Sequence, residues 1–233
     1  MTSIQPGTDF SMRRLSLLLI AALLSACAAP PPPTPTPVQV SRPPLKIALV
    51  LGGGAARGFA HIGVIKALEA QGIAPDIVVG TSAGSVVGAL YASGMSGFEL
   101  QNLALQMKED LLADWTLPNR GVLKGAALQD FINQNVKNLP IQKLPKPLGV
   151  VATDLQSGER ALFRYGNTGM AVRASSAVPG WFQPVEIGGR DYVDGGLTSP
   201  VPAQSARTMG ADFVIAVDIS NVSRRDKLTG TLD

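Results

Sequence analysis

Residues 76–92 read Asp76-Ile77-Val78-Val79-Gly80-Thr81-Ser82-Ala83-Gly84-Ser85-Val86-Val87-Gly88-Ala89-Leu90-Tyr91-Ala92. Asp76 to Val79 is a short β-branched run, the pattern of a buried strand. Gly80 to Gly84 is a tight turn, and Ser85 to Ala92 is apolar and helical. In that context the Gly-x-Ser-x-Gly spacing carries chemistry. Small flanking residues permit a strained turn that lifts the serine hydroxyl above a sheet. The helix N-terminus behind it favours developing negative charge. Without the context, the same pentapeptide is a glycine-rich turn with an N-capping serine.

Upstream, Leu45 to Leu51 is another β-rich run, bounded by Pro44 and Gly52. Phe59, Ile62, Ile65 and Leu68 then recur at helical spacing to Ala70, with Gly72 as a stop. Strand, loop, helix, strand, turn and helix within about fifty residues argue an α/β domain with a parallel sheet. Further helices are expected over 97–112 and 124–137, and strands over 147–153 and 161–164. Val185 to Val193, with Gly188-Gly189 at its centre, predicts a hairpin. Asp212 to Ile219 is a final strand. The chain ends soon after it, which leaves any C-terminal cover of a site unaccounted for.

Between the first strand and helix lies Gly52-Gly53-Gly54-Ala55-Ala56-Arg57-Gly58. Bare N–H groups at a helix N-terminus hold anions, either a nucleotide phosphate or the oxyanion of a tetrahedral intermediate. No Lys-Ser/Thr pair follows the glycines, so this is not a P-loop. Counting a dinucleotide fingerprint from Gly52 puts Arg57 in the last glycine slot, and counting from Gly53 puts Ala55 in the second. The oxyanion role survives. Arg57 offers a fixed positive charge for positioning a substrate, or a surface cap. Asp194, before Gly195-Gly196 at a strand end, can reach into a site; such a triplet is also an ordinary turn.

Composition narrows the chemistry. The 233 residues hold one cysteine and one histidine, with a net charge of +3. One cysteine excludes an intrachain disulfide and a cysteine-based zinc site. One histidine excludes a His-rich metal site. The charge carries no nucleic-acid footprint. A serine nucleophile needs a base. His61, the only histidine, falls in the first turns of a helix, whereas α/β-hydrolase order puts the histidine last. His61 is read as structural, so a carboxylate must take the proton. An ordinary aspartate is a weak base near neutrality, and partial desolvation improves the match.

The N-terminus reads as an address. Arg13 and Arg14 precede an apolar run, Leu15 to Leu24, too short to span a bilayer. The segment closes Leu24-Ser25-Ala26-Cys27, which resembles the bacterial lipobox, whose cysteine is lipidated. Ala28 after it favours the outer membrane, by the rule that accompanies the motif. Met12 is an alternative start. Residues 28–44 hold eight prolines and predict an extended polyproline II tether of about 50 Å. The expected organisation is a signal peptide over 1–26, lipidated Cys27 with its tether over 27–44, a domain over 45–220 and a polar tail over 221–233. Lys137, Lys143 and Lys146 are a solvated loop or touch lipid headgroups. Phe98, Trp115, Trp181 and Phe182 are core residues or a lipid-facing rim. Asp154 and Glu159 flank a turn with no catalytic role.

Taken in order, Leu51 to Val64, Gly80 to Gly84, Arg173-Ala174-Ser175-Ser176-Ala177-Val178-Pro179-Gly180-Trp181-Phe182-Gln183-Pro184, and Asp194-Gly195-Gly196 resemble the patatin-like phospholipases. The similarity is greatest to the bacterial branch related to neuropathy target esterase, and it runs from Leu45 to Ile219. The resemblance implies a three-layer α/β/α fold and a lipid acyl hydrolase acting on phospholipids or lysophospholipids without metal or cofactor. By position it makes Ser82 the nucleophile and Asp194 the base, with N–H groups of Gly53, Gly54 and Ala55 forming the oxyanion hole. Ala55 departs from a slot often held by glycine, and offers its N–H on the expectation that its φ is negative. The alternatives are a catalytically idle envelope lipoprotein of the same fold serving as adaptor or scaffold, and a nucleotide-binding module.

Overall fold

The computed structural model describes residues 44–106 and 125–220. The signal segment, Cys27, the tether up to Pro43, Trp115 and the polar tail lie outside the described residues. The elements run β1 (Ile47–Leu51), α1 (Phe59–Ala70), β2 (Ile77–Thr81), α2 (Ala83–Ala92), α3 (Gly97–Leu105), α4 (Ala126–Asn135), β3 (Leu148–Asp154), β4 (Arg160–Phe163), α5 (Thr168–Ser175), β5 (Val185–Ile187), β6 (Arg190–Asp194), α6 (Ala203–Thr208) and β7 (Phe213–Val217).

Among the described residues, seven strands form one sheet. β3, β2, β1 and β7 lie side by side in parallel. β4 and β6 run antiparallel to β3, and β5 antiparallel to β6. β1, β2 and β3 are buried on both faces, which explains their near-continuous apolar content, while β7 at the sheet edge is partly exposed. Alternate residues part to opposite sides. Leu49, Leu51, Val78, Leu148 and Val150 meet a thick helical layer drawn from α1 to α5. Ala48, Val50, Ile77, Val79 and Val151 meet a thinner one, with Ala206 of α6. The fold is an α/β architecture with a mostly parallel central sheet and flanking helices. Its two helical layers are unequal.

Local chemistry accounts for the boundaries. α3 starts on a capping box in which Ser96 and Glu99 satisfy each other's backbone N–H groups. Gly188 and Gly189 both have positive φ, as the tight β5–β6 hairpin turn requires. β2 runs two residues past the expected Val79, because Gly80 stays paired opposite Leu51. The described part of the 97–112 helix ends at Leu105. Two short helices had no forecast, α5 and α6. α5 is eight residues long and capped by the Asn167 side chain on Met170 N–H, so it spans too few turns to show a period.

Candidate active site

Ser82 stands between the last residue of β2 and the first of α2, with φ 52° and ψ −123°. This sparsely populated backbone costs about 1–3 kcal/mol and needs support from its surroundings. The supports are explicit. Ser82 N–H donates to Ser175 Oγ at 2.8 Å, and Ser175 Oγ donates to Val151 O. Ser82 O accepts from Ser85 N–H at 2.8 Å and from Ser85 Oγ at 2.7 Å. The flanking glycines are steric necessities. A Cβ on Gly84 would lie 2.0 Å from Leu51 O, and one on Gly80 would lie 2.4 Å from Gly84 O.

Register brings the aspartate to the serine. β2 pairs with the first half of β3, ending Thr81 opposite Val151. β6 pairs with the second half of β3, ending Asp194 opposite Ala152. β4 overlaps both registers and therefore occupies the other edge of β3. The two strands thus arrive from opposite directions on one edge. Where they meet, the Ser82 hydroxyl faces the Asp194 carboxyl. Asp194 is 7% exposed. Burial raises its pKa, against the opposing hydrogen bonds from Ser82 and Gly196 N–H. The Gly196 bond reaches Oδ1 at 2.6 Å.

The loop after Asp194 is fastened on three sides. Thr153 Oγ1 donates to Asp194 O at 2.9 Å, Thr81 Oγ1 donates to Ser199 O at 2.9 Å, and Gly53 N–H donates to Pro200 O at 2.9 Å. None of Thr81, Thr153, Ser175 and Pro200 stood out in the sequence as a site residue. Ser175 lay inside the Arg173–Pro184 block, which carried no role of its own.

The glycine loop passes over the nucleophile: a Cβ on Gly53 would lie 3.4 Å from Ser82 Cβ. Two expectations need correction here. The Gly53 N–H, expected in the oxyanion hole, already donates to Pro200 O, so it faces away from an incoming oxyanion. Ala55 has φ 49° rather than a negative value. It adopts the left-handed conformation a glycine would take, at about 1–2 kcal/mol, and keeps its N–H. Among the described residues, neither Gly54 N–H nor Ala55 N–H has an acceptor.

Arg57 is exposed. Its Nε donates to Gly54 O at 3.3 Å, which latches the guanidinium onto the loop. The nearby Asp218 carboxyl is held low by Ser220, with a smaller contribution from Arg57. His61 is fully buried, and its Nε2 lies 2.8 Å from Gly52 O. Asp154 pairs with Arg190, and the guanidinium holds its carboxyl down at about 2. That pair ties the end of β3 to the start of β6. Exposed Val178, Trp181 and Leu197 lie in the loops on either side of the β5–β6 hairpin. Phe98 is exposed and packs under Lys66.

A narrow apolar pocket of about 20 Å³ lies against the helix that follows Ser82, and a larger cleft of about 380 Å³ shares Phe59, Ile62 and Ala104 with it. Val86, Val87 and Leu90 form one wall of the pocket, and Gly58, Phe59, Ile62, Leu103, Ala104 and Phe131 are among the rest. No cluster of His, Cys, Asp or Glu able to hold a metal occurs among the described residues.

The patatin-like phospholipase family model matches residues 49–207. An uncharacterized NTE family protein of Mycobacterium tuberculosis is 38% identical over 177 residues, which is 75% of this chain and 49% of that protein. Human patatin-like phospholipase domain-containing protein 6 is 37% identical over 191 residues, 78% of this chain and 14% of that protein. The chain therefore spans about half the length of its mycobacterial relatives and much less of the human one. The crystal structure of VipD from Legionella pneumophila superposes with a TM-score of 0.62 over 80% of this chain and 52% of that one, at 17% identity, a likeness of fold. The family model spans both Ser82 and Asp194, and the relatives share more than a third of their residues along three quarters of the chain. On those grounds this chain belongs to the patatin-like phospholipase family, with NTE-related proteins among its homologues.

Proposed function

We propose that this chain is a lipid acyl hydrolase that cleaves carboxylic esters of phospholipids or lysophospholipids with a Ser82–Asp194 dyad. The observation that carries the proposal is the Ser82 hydroxyl facing a buried carboxyl, while the lone imidazole is bonded to a backbone carbonyl instead. Asp194 takes the Ser82 Oγ proton as Oγ attacks the ester carbonyl carbon. The oxyanion that forms lies against the N–H groups of Gly54 and Ala55. The carbonyl re-forms, the C–O bond to the alcohol breaks, and Asp194 returns the proton to the leaving oxygen. Water then repeats the sequence on the acyl-Ser82 ester and releases the fatty acid. Burial raises the Asp194 pKa and so brings the base nearer its working pH. The cleft lined by Phe59, Ile62 and Ala104 has room for an acyl chain.

Hydrolysis of a short-chain acyl ester and of lysophosphatidylcholine by the chain and by Ser82→Ala tests the proposal. Activity lost in the variant is the expected result. Equal rates in both proteins, or none from a folded wild type, would sink it. We further propose that Cys27 is lipidated and holds the domain at the envelope membrane, with the outer membrane favoured. This rests on residues 13–28 of the sequence. Incorporation of a palmitate analogue into the chain, and not into Cys27→Ser, is its test.

A further inference from the structure

We infer that His61 is a positioning residue for the oxyanion loop, acting through the Gly52–Gly53 peptide rather than as a base. The inference rests on the proposed Ser82–Asp194 site and adds a role to it. A carbonyl oxygen can only accept, so the 2.8 Å contact to Gly52 O puts the proton on Nε2. Nδ1 is then a buried lone pair, and no hydrogen bond reaches it. A histidine kept for packing alone would serve better as an apolar ring of similar size, since burying an unpartnered nitrogen is unfavourable. What the imidazole supplies is the Nε2–H. Burial lowers its pKa, so the ring stays a neutral donor.

The peptide it holds is gripped from several elements. Gly52 O is bonded by His61 of α1. Gly53 N–H, across the same peptide, donates to Pro200 O at 2.9 Å, in the loop that follows Asp194. Gly52 N–H donates to Val217 O of β7 at 3.0 Å. A peptide fixed through both its oxygen and its N–H cannot rotate, and it aims the next N–H, that of Gly54. The same carbonyl backs the elbow, since a Cβ on Gly84 would lie 2.7 Å from Gly52 O. His61 thus braces the loop through the Gly52 carbonyl. A displacement of about 1 Å at such donors costs roughly a hundredfold in rate.

The test uses the full chain with His61→Phe, His61→Gln and His61→Asn. The Gln amide nitrogen reaches about as far as Nε2, and the Asn nitrogen does not. We expect kcat to fall on the order of thirtyfold or more in the Phe and Asn variants, with KM nearly unchanged. Affinity for a trifluoromethyl ketone, which forms a tetrahedral oxyanion on Ser82, should fall in parallel, and Gln should restore both. Wild-type kcat in a folded Phe or Asn variant overturns the inference. So does a Gln variant that folds but is no better than Asn. Should the Phe and Asn variants fail to fold, the wild type decides. It has one histidine, so its imidazole N–H proton resonance is unambiguous. That resonance should shift when the ketone adduct forms, and an unchanged resonance overturns the inference. A wild type that hydrolyses no ester and binds no ketone would instead count against the dyad itself.

Discussion

Thr81 and Asp194 occupy consecutive positions along one edge of β3, Thr81 opposite Val151 and Asp194 opposite Ala152. The residue after Thr81 is Ser82, so the end of β2 and the end of β6 deliver a hydroxyl and a carboxyl to one place. No loop has to carry either group there. Serine and aspartate lie 112 residues apart in the chain, yet two strand registers bring them together.

Ser175 is the residue that translates this register into elbow geometry. Its hydroxyl lies between Val151 O and Ser82 N–H. In Ser175→Ala the strained φ of Ser82 loses its acceptor, and Val151 O loses its donor. We expect kcat to fall about ten- to a hundredfold and the melting temperature by several degrees, for roughly 1–3 kcal/mol of lost bonding. Ester kinetics and a thermal melt on one preparation check both.

Much of this fold was legible because its main strands are buried on both faces and its turns are marked by glycine. Leu45–Leu51, Gly80–Gly84 and the Gly188-Gly189 hairpin could be read directly from residue type. The candidate site was legible as far as Ser82 and Asp194, which are flanked by glycines, and the single histidine pointed to a carboxylate. Partners chosen by tertiary contact were not. Nothing local to Gly53 says that its N–H turns to Pro200 O, and nothing local to Ala55 says that it goes left-handed. The first is imposed by chain that returns 147 residues later. Ser175 and Thr153 are hidden for the same reason, being small polar residues in apolar surroundings.

In the proposed dyad, Asp194 gives up stability for its role as base. Its folded pKa is raised by burial above the ordinary carboxylate value of 3.8. As pH rises from below 3.8, the unfolded chain releases its proton first. Folding then takes up a proton, so stability falls through that window and stays lower above it. Asp194→Asn removes the penalty. Its expected phenotype is abolished hydrolysis with a melting temperature about 2–4 °C higher at neutral pH, the shift made by roughly 1 kcal/mol in a domain of this size. Below pH 3.8 the gain should vanish. Melts at both pH values decide it.

The pH–rate profile should carry one ascending limb. With Asp194 as the proposed base, the active form is its carboxylate, so log kcat/KM should rise with unit slope and level off above the raised Asp194 pKa. Burial lowers the His61 pKa, so its imidazole adds no limb near neutrality. Profiles of wild type and His61→Gln should therefore bend at the same pH, which steady-state rates between pH 3 and 8 will show.

Chain-length preference should answer to the cleft lined by Phe59, Ile62 and Ala104. Ala104 is half-buried on its wall, where a larger side chain takes space without entering the elbow. Ala104→Phe should slow long-chain esters about tenfold, the cost of losing one or two methylene contacts. Butyryl ester hydrolysis should stay near the wild-type rate. Parallel losses on both substrates would show that the acyl chain lies elsewhere.

Two glycine-to-alanine changes separate the elbow from ordinary helix. Gly63, in α1, has nothing within 4 Å of a would-be Cβ. Gly63→Ala should stabilise by up to about 1 kcal/mol, because the unfolded chain loses freedom and the helix gains propensity. Gly84 is also helical, but its Cβ would lie 2.0 Å from Leu51 O and 2.7 Å from Gly52 O, both backbone atoms that cannot swing aside. Gly84→Ala must therefore push α2 away from β1 and the glycine loop, at a cost above the roughly 1–3 kcal/mol of ordinary overpacking. We expect it to fail to fold or to melt at least 10 °C lower, and any folded fraction to lose hydrolysis because Ser82 moves with the helix. A Gly84→Ala protein with wild-type melting and activity would mean that the elbow does not press on β1 as described.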